Sequence, residues 1–313
     1  MSVLQLPDSG LWKAVRERSA EALRSGALEP IATESAVIVE RGVPFVVRVL
    51  SEIRRKRRAA LRQKETGRNP FLPYEEELFV ADVSPTHVAL LNKFNVLDDH
   101  LLIITRDFEE QSQPLALADF EALWACLGEG GALGFYNSAP EAGASQRHRH
   151  LQLVPLPLGG GEDTLPAFGG GEDTRAAGSG EREELPMTRF FDGAHFEAGI
   201  GRAPELPFLH AIARLDDCAE ASPAQAASIL LSRYKGLCRA AGCEGASRPY
   251  NLLATRDWLF LVPRSAGRCD GIPVNALGFA GAMLALDRAQ VATIAERGPF
   301  ALLADVSLPA RSR

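Results

Sequence analysis

"GASQRHRHLQLVP", residues 143–155, sets two histidines one residue apart between a small, turn-prone segment and an apolar run. On a β-strand successive side chains point to opposite faces, so His148, His150 and Gln152 would line one face while Arg147, Arg149 and Leu151 take the other. A linear pattern thereby becomes a cluster of three polar groups on a sheet. Three chemistries fit it. As a metal clamp, H-x-H needs a third protein ligand, and Gln152 is a poor one with no Asp or Glu in the strand. As structural histidines on a half-buried strand, both rings need hydrogen-bond partners. As a nucleophilic site, neutral imidazole has the basicity to attack phosphorus at pH 7, and the phosphoramidate it forms is labile enough to pass the group on. The preceding loop, "NSAPEAGASQ", would then offer backbone N–H groups and the Ser145 and Gln146 side chains to phosphate oxygens.

Working outward, "HVALLNKFNVLDDHLLIITRDF" (87–108) carries two apolar runs, around Leu90 and Ile103, that predict paired strands. "ALADFEALWACLGE" has Leu117, Phe120, Leu123 and Leu127 on one helical side and should end at the glycines 130, 131 and 134. "GALGFYNSAPEAGAS" is rich in small residues and turns. Nearer the start, Leu11, Trp12, Val15, Ala22 and Leu23 predict an amphipathic helix stopped by Gly26, with Asp8 or Ser9 as its cap. "ESAVIVERGVPFVVRVL" predicts a hairpin around a Gly-Val-Pro turn, leading into the basic "RRKRRAALRQK". That basic stretch suits either a solvated face or a phosphate-facing patch.

Downstream, residues 159–186 repeat GGGEDT at 159–164 and 169–174 and are dominated by glycine and acid, which predicts a flexible surface insert. From about residue 196 a second unit follows: a helix capped by Ser222 with Pro223 at its first position, strands in "YNLLATRDWLFLVPRS", and a helical run in "FAGAMLALDRAQVATIAERG". Hairpins outnumber crossovers. The expected class is α+β, with antiparallel sheets flanked by helices, divided into 1–195 and 196–313.

Bulk properties narrow the function. A net charge of -6 argues against a general nucleic-acid binder, which needs excess Lys and Arg to displace phosphate counterions. With no unbroken apolar stretch near the start or of membrane-spanning length, the expectation is a cytoplasmic chain without membrane partners. The five cysteines are scattered and lack a C-x-x-C pair, which suits buried reduced thiols.

"NSAPEAGASQRHRHLQLVP" resembles the active-site segment of the diadenosine tetraphosphate phosphorylases (ATP adenylyltransferases), a branch of the histidine-triad superfamily that includes galactose-1-phosphate uridylyltransferase. Those enzymes carry Asn-Ser, a small-residue run ending in Ser-Gln, then His-x-His-x-Gln. "NPFLPYEEELFVADVSPTHVALLNKFNVLDDHLLIITRDFEEQ" upstream, and "YNLLATRDWLFLVPRS" with "VNALGFAGAMLALD" downstream, resemble the family in the same order. The resemblance implies a histidine-triad-like fold of two related halves, the catalytic strand lying in the first. It also implies a two-step transfer. His150 attacks an adenosine-bearing phosphorus, forms an adenylyl-histidine and expels ATP; inorganic phosphate then takes the adenylyl group to give ADP, and the reverse reaction is open.

Gln152 stands where histidine-triad hydrolases have a third histidine. An amide donates to a phosphate oxygen but cannot shuttle a proton, which suits an ionised acceptor better than water. His148 would orient its neighbour or the leaving phosphates. The same matching places Asn137, Ser138, Gly143, Ala144, Ser145 and Gln146 on a phosphate- and ribose-binding loop, Asn92 and Lys93 on a nucleotide-contacting strand, Lys56 as the phosphate-reaching lysine, and Thr255, Arg256 and Asp257 beside the substrate cleft. Lys93 equally suits a snorkelling strand-edge role. Mg2+ is expected to arrive with the nucleotide, with no protein metal site, and the chain to be a monomer or homodimer. Arg147 replaces the family's usual uncharged residue and Arg149 its usual lysine, and the acidic insert would repel a polyphosphate. An adenylyltransferase using sulfate or a sugar phosphate, or a nucleotide-binding sensor without turnover, is the alternative.

Overall fold

Alternation in the sequence becomes strands in a computed structural model of the chain, which describes residues 6–7, 10–50, 69–128, 130–158 and 185–310. Among these residues the strands are β1 (Thr33–Glu40), β2 (Val43–Leu50), β3 (Phe79–Ser84), β4 (His87–Leu91), β5 (Leu101–Thr105), β6 (Ala132–Asn137), β7 (His150–Pro155), β8 (His195–Glu197), β9 (Ile200–Arg202), β10 (Ala211–Arg214), β11 (Tyr250–Ala254), β12 (Trp258–Pro263), β13 (Arg268–Cys269), β14 (Ile272–Pro273) and β15 (Ala282–Ala285). The helices are α1 (Leu11–Ser25), α2 (Leu117–Leu127), α3 (Pro223–Ala241), α4 (Arg288–Arg297) and α5 (Pro299–Asp305). The architecture is α+β. Ten strands form one antiparallel sheet in the order β3-β4-β5-β7-β6-β11-β12-β10-β9-β8, so both halves of the chain share it, and β6 meets β11 at the join.

Two faces of that sheet are covered differently. Odd-numbered Leu151 and Leu153 of β7 join Leu101, Ile103 and the apolar sides of α1, α2 and α3 in one core. Val154, Leu133 and Phe135 face the other way, under the small sheet β1-β2-β15 and helices α4 and α5. Beside them, Phe71, Leu72 and Tyr74 strap a smaller cluster of Val88, Leu90, Leu102 and Ile104. His150 and Gln152 share this second face, between the two coverings. Helix α3 begins as expected, with Ser222 and Gln225 forming a reciprocal cap and Gly242 ending it in a left-handed conformation.

Four local expectations need correcting. The β1–β2 turn is Arg41–Gly42, both at positive φ, and not Gly-Val-Pro; Pro44 sits in β2 because β15 pairs only from Val46 onward, where no ladder bond needs the missing N–H. Helix α2 stops earlier, at Gly128. Residues 132–137, read as turn-rich, are strand β6; Gly134 is there for packing, since a Cβ would stand 2.6 Å from Leu123 Cδ1 on α2. Residues 282–285, read as helix, form β15 parallel to β2: tertiary pairing overrides the helix preference of Ala, Met and Leu. The cap proposed at Asp8 or Ser9 and nearly all of the insert, 159–184, lie outside the described residues. No described helix is long and apolar enough to cross a membrane.

Candidate active site

Strand β7 fixes the geometry of the nucleophile candidate. His150 is its first residue, opposite Ile104 of β5, and is buried. Its Nδ1–H donates to the carbonyl of His148 at 2.8 Å. That bond selects the tautomer, so the lone pair belongs to Nε2, which has no hydrogen-bond partner among the described residues. Burial, opposed by the His148 carbonyl, pushes the imidazole down to about 4, so the ring is neutral at physiological pH. His148 itself is engaged on both nitrogens: Nε2–H donates to the Thr105 carbonyl (2.8 Å), with Thr105 Oγ1 at 2.9 Å, and Nδ1 accepts from Asn69 Nδ2 at 2.9 Å. Phe71 and Phe108 both stand edge-on to it. His148 therefore orients its neighbour through its backbone carbonyl, and a two-histidine metal clamp has only one ring nitrogen to offer.

Gln152 is oriented by a residue the sequence reading did not single out. His100, just before β5, donates from Nε2 to Gln152 Oε1 (3.0 Å) while its Nδ1 accepts from Asn92 Nδ2 (3.2 Å). With Oε1 occupied, the NH2 of Gln152 is the end left to donate. Burial pushes His100 down to about 4, so this relay stays uncharged. Because Leu102 pairs with Gln152, His100 is its diagonal neighbour on the same face; the signal was present in strand adjacency.

The loop from Asn137 to His150 is anchored on the second half. Asn137 Oδ1 accepts from Asn251 Nδ2 (2.8 Å) and from Ala276 N (3.0 Å). Asn251 also donates to the Ala142 carbonyl at 2.8 Å. Arg264, fully buried, donates to Asn251 Oδ1 and to the carbonyls of Val306, Ala266 and Val274. Burial pushes this guanidinium down to about 9, still charged at neutral pH. The turn at 140–143 is pressed against that base: a Cβ on Gly143, at φ +91, would meet Asn275 Cβ at 2.7 Å, and one on Gly267 would meet the Pro140 carbonyl at 2.7 Å. By residue pattern neither stands out: Asn251 is a lone polar residue in the apolar strand β11, and Arg264 follows the end of β12 beside Ser265.

The remaining predicted residues divide. Ser138 is structural as well as local: its Oγ accepts from Tyr250 N at 2.8 Å. Ala144 closes the turn by donating to Ala139, while Ser145 is exposed and Gln146 half-buried on the loop leading to the histidines. Asn92 joins the site through His100. Lys93, in the turn after β4, is ion-paired, its Nζ 2.6 and 2.7 Å from the Glu75 carboxylate. Thr255, Arg256 and Asp257 are not brought to His150: they form the β11–β12 turn at the far end of the strand from Asn251, and Arg256 stacks on Trp124 of α2, 3.5 Å from the ring centroid, on the helical face of the sheet. From the same strand it is Asn251, four residues before Thr255, that reaches the loop. Arg149 points to that helical face too, bridging Glu109 (2.6 Å) and Asp119 (3.1 Å), and Arg147 pairs with Glu110 at the surface. Lys56 lies outside the described residues.

Comparison with known proteins places the chain among relatives. A curated relative, diadenosine 5',5'''-P1,P4-tetraphosphate phosphorylase 2 of Saccharomyces cerevisiae, is 27% identical over 255 residues, covering 73% of this chain and 72% of that protein. Protein APA1 of the same organism is 24% identical over 297 residues, covering 86% and 85%. The crystal structure of yeast Ap4A phosphorylase Apa2 in complex with Ap4A has the same fold, with a TM-score of 0.75 at 21% identity over 99% of this chain and 100% of that one. Residues 1–168 match the Ap4A phosphorylase N-terminal domain and residues 204–309 the ATP adenylyltransferase C-terminal domain, and by these matches the chain belongs to the Ap4A phosphorylase family.

Proposed function

We propose that this chain cleaves diadenosine tetraphosphate with inorganic phosphate to ADP and ATP, and runs the reverse, through an adenylyl group carried on His150. One observation carries the mechanism: His150 Nδ1–H is held on the His148 carbonyl at 2.8 Å, which leaves the Nε2 lone pair as the nucleophile. That lone pair attacks the α-phosphorus of one adenosine. The N–P bond forms, the bond from that phosphorus to the bridging oxygen breaks, and the oxygen leaves with its electrons as ATP. An oxygen of phosphate then attacks the adenylyl phosphorus, the P–N bond breaks, ADP is released, and the lone pair returns to Nε2. Neither step needs a proton moved, because both leaving group and acceptor are already ionised. An amide at Gln152 suffices for this chemistry, its NH2 stabilising the charge that develops on the non-bridging oxygens.

The polyphosphate needs positive charge that the described site supplies sparingly, since Lys93 and Arg147 are already paired with carboxylates. The run of five basic residues at 54–58, including Lys56, is the proposed source, with the loop N–H groups around Ser145 and Gln146. Magnesium is proposed to travel with the nucleotide, whose polyphosphate is itself a ligand for the ion. Its chemistry there would be charge neutralisation. The yeast relative's name and the neighbour's bound Ap4A support the choice of substrate.

The test is product identity. Incubated with diadenosine tetraphosphate and phosphate, the protein should yield ADP and ATP in equal amounts. Without phosphate it should stop after one equivalent of ATP, with AMP covalently held. His150→Asn should bind nucleotide but form no adduct. AMP released to water without phosphate, or an adduct persisting in His150→Asn, would exclude the mechanism.

A further inference from the structure

Strands β6 and β7 are paired from Ala132↔Pro155 to Phe135↔Gln152 and then part. Continued by two residues, the same register would set the His150 N–H opposite the Asn137 carbonyl. What occupies that gap is a side chain. Gln111, buried on the segment after β5, accepts from His150 N through Oε1 at 2.8 Å and donates from Nε2 to the Asn137 carbonyl at 2.8 Å. Its Nε2 also reaches the His150 carbonyl at 3.2 Å. The carboxamide thus stands where a peptide group would, with one bond to Asn137 on the β6 side and two to His150 on the β7 side. The main chain of the same residue is committed too: its N–H donates to the Arg147 carbonyl at 2.7 Å, and its carbonyl accepts from the Tyr136 hydroxyl.

All four hydrogen-bonding groups of Gln111 therefore lie across the neck of the 137–150 loop, touching Tyr136 and Asn137 on one side and Arg147 and His150 on the other. An uninterrupted ladder would pull β6 and β7 together at the nucleophile and leave no opening for the loop. An apolar side chain in the gap would strand a buried N–H and a buried C=O. An amide satisfies both while holding the strands one side chain apart. We propose that Gln111 is a positioning residue: it sets the distance between the phosphate-facing loop and the His150 ring, and so the line of attack on a bound phosphorus. This rests on the adenylyl-transfer reading above. It differs from a packing role because the two ends of the amide act on the two partners of the reaction, the loop that holds phosphate and the strand that holds the nucleophile.

The experiment compares Gln111→Met, which keeps the shape and loses all three side-chain bonds, Gln111→Glu, which keeps the acceptor and loses the donor, and Ile294→Val, a core trim on α4 away from the site. Single-turnover adenylylation at saturating diadenosine tetraphosphate should fall on the order of 100-fold in Gln111→Met, the scale of a misplacement of about 1 Å. Gln111→Glu should be intermediate and Ile294→Val near wild type. By nitrogen-15 NMR, the His150 ring should be a single Nδ1–H tautomer in wild type and Ile294→Val, and a mixture in Gln111→Met. Wild-type rates and an unmixed tautomer in both Gln111 variants overturn the proposal. If wild type itself forms no adduct, the adenylyl-transfer reading fails, and the tautomer comparison still decides the role of Gln111.

Discussion

Lowering the pH from 7.5 to 5.5 should destabilise this fold through three histidines that the structure buries in neutral form. His100, His150 and His210 are each pushed down to about 4, desolvation being the largest cause in every case. His210 repeats the arrangement of His150, with Nδ1–H on the carbonyl two residues back and Nε2 accepting from Ala203 N. Released by unfolding, each ring regains an ordinary value near 6.5 and binds a proton that the folded state excludes. The folded pKa is depressed, so the stabilisation is fully present above pH 6.5 and is lost as pH falls from there toward 4. Between pH 7.5 and 5.5 each histidine costs about 1.3 kcal/mol and the three together about 4 kcal/mol. With folded values near 4, the buried rings are almost wholly unprotonated at pH 5.5.

Urea unfolding at pH 7.5, 6.5 and 5.5 measures the loss, and an indicator in weakly buffered solution measures proton uptake on unfolding at pH 5.5, expected to be about 2.6. Replacing His210 with Gln, outside the site, should remove about a third of that uptake and leave activity intact. Uptake below one proton, or stability rising as the pH falls, would refute the assignment of these rings as buried and neutral. The same shift predicts that His150 remains a competent nucleophile at pH 5.5, so acid inactivation should follow unfolding and not titration of the ring.

His100→Phe keeps the ring packing on Phe135 but removes the donor that fixes Gln152; turnover should fall roughly tenfold with nucleotide affinity little changed, as read from kcat and from AMP binding by calorimetry. Gly143→Ala forces a Cβ at φ +91 into Asn275 and should cost about 2–3 kcal/mol while weakening AMP binding, both visible in urea midpoints and calorimetric titration. Arg264→Met leaves the Asn251 amide and several buried carbonyls without a donor and should cost about 3–5 kcal/mol, detectable as a lowered urea midpoint. Arg256→Ala should lose about 1 kcal/mol of stacking on Trp124 and leave kcat unchanged, which checks that the 255–257 turn stands apart from catalysis.

The parts of the site legible in the sequence are those encoded by period and spacing. Two-residue alternation put His150 and Gln152 on one face, and the small-residue run located the loop, because both are local consequences of backbone geometry. What alternation could not show is which side chains reach in from elsewhere. His100 was within range, one diagonal from Gln152 once β5 was paired with β7. Gln111 was not: it lies in an irregular segment, and its significance exists only where two strands of the finished sheet diverge. Strand β6 was hidden by Gly134, a packing requirement of α2, and β15 by residues whose local preference is helical.

The second half presents the largest such gap, and its structure gives that half a task although the candidate nucleophile lies in the first. Asn251 and Arg264 come from β11 and the end of β12, and Asn275 and Ala276 from the segment before β15, yet all of them converge on Asn137, Ala142 and Gly143 of the first half. A loop rich in small residues has little side-chain packing to hold it, and its backbone groups bind an anion tightly only if they are ordered beforehand. Seating it on a buried, charged network shared with the neighbouring half provides that order. On this argument the second half serves less as a wall of the substrate cleft than as the base on which the phosphate-facing loop is fixed, and cutting its polar ties should loosen nucleotide binding even where no residue of that half touches the nucleotide.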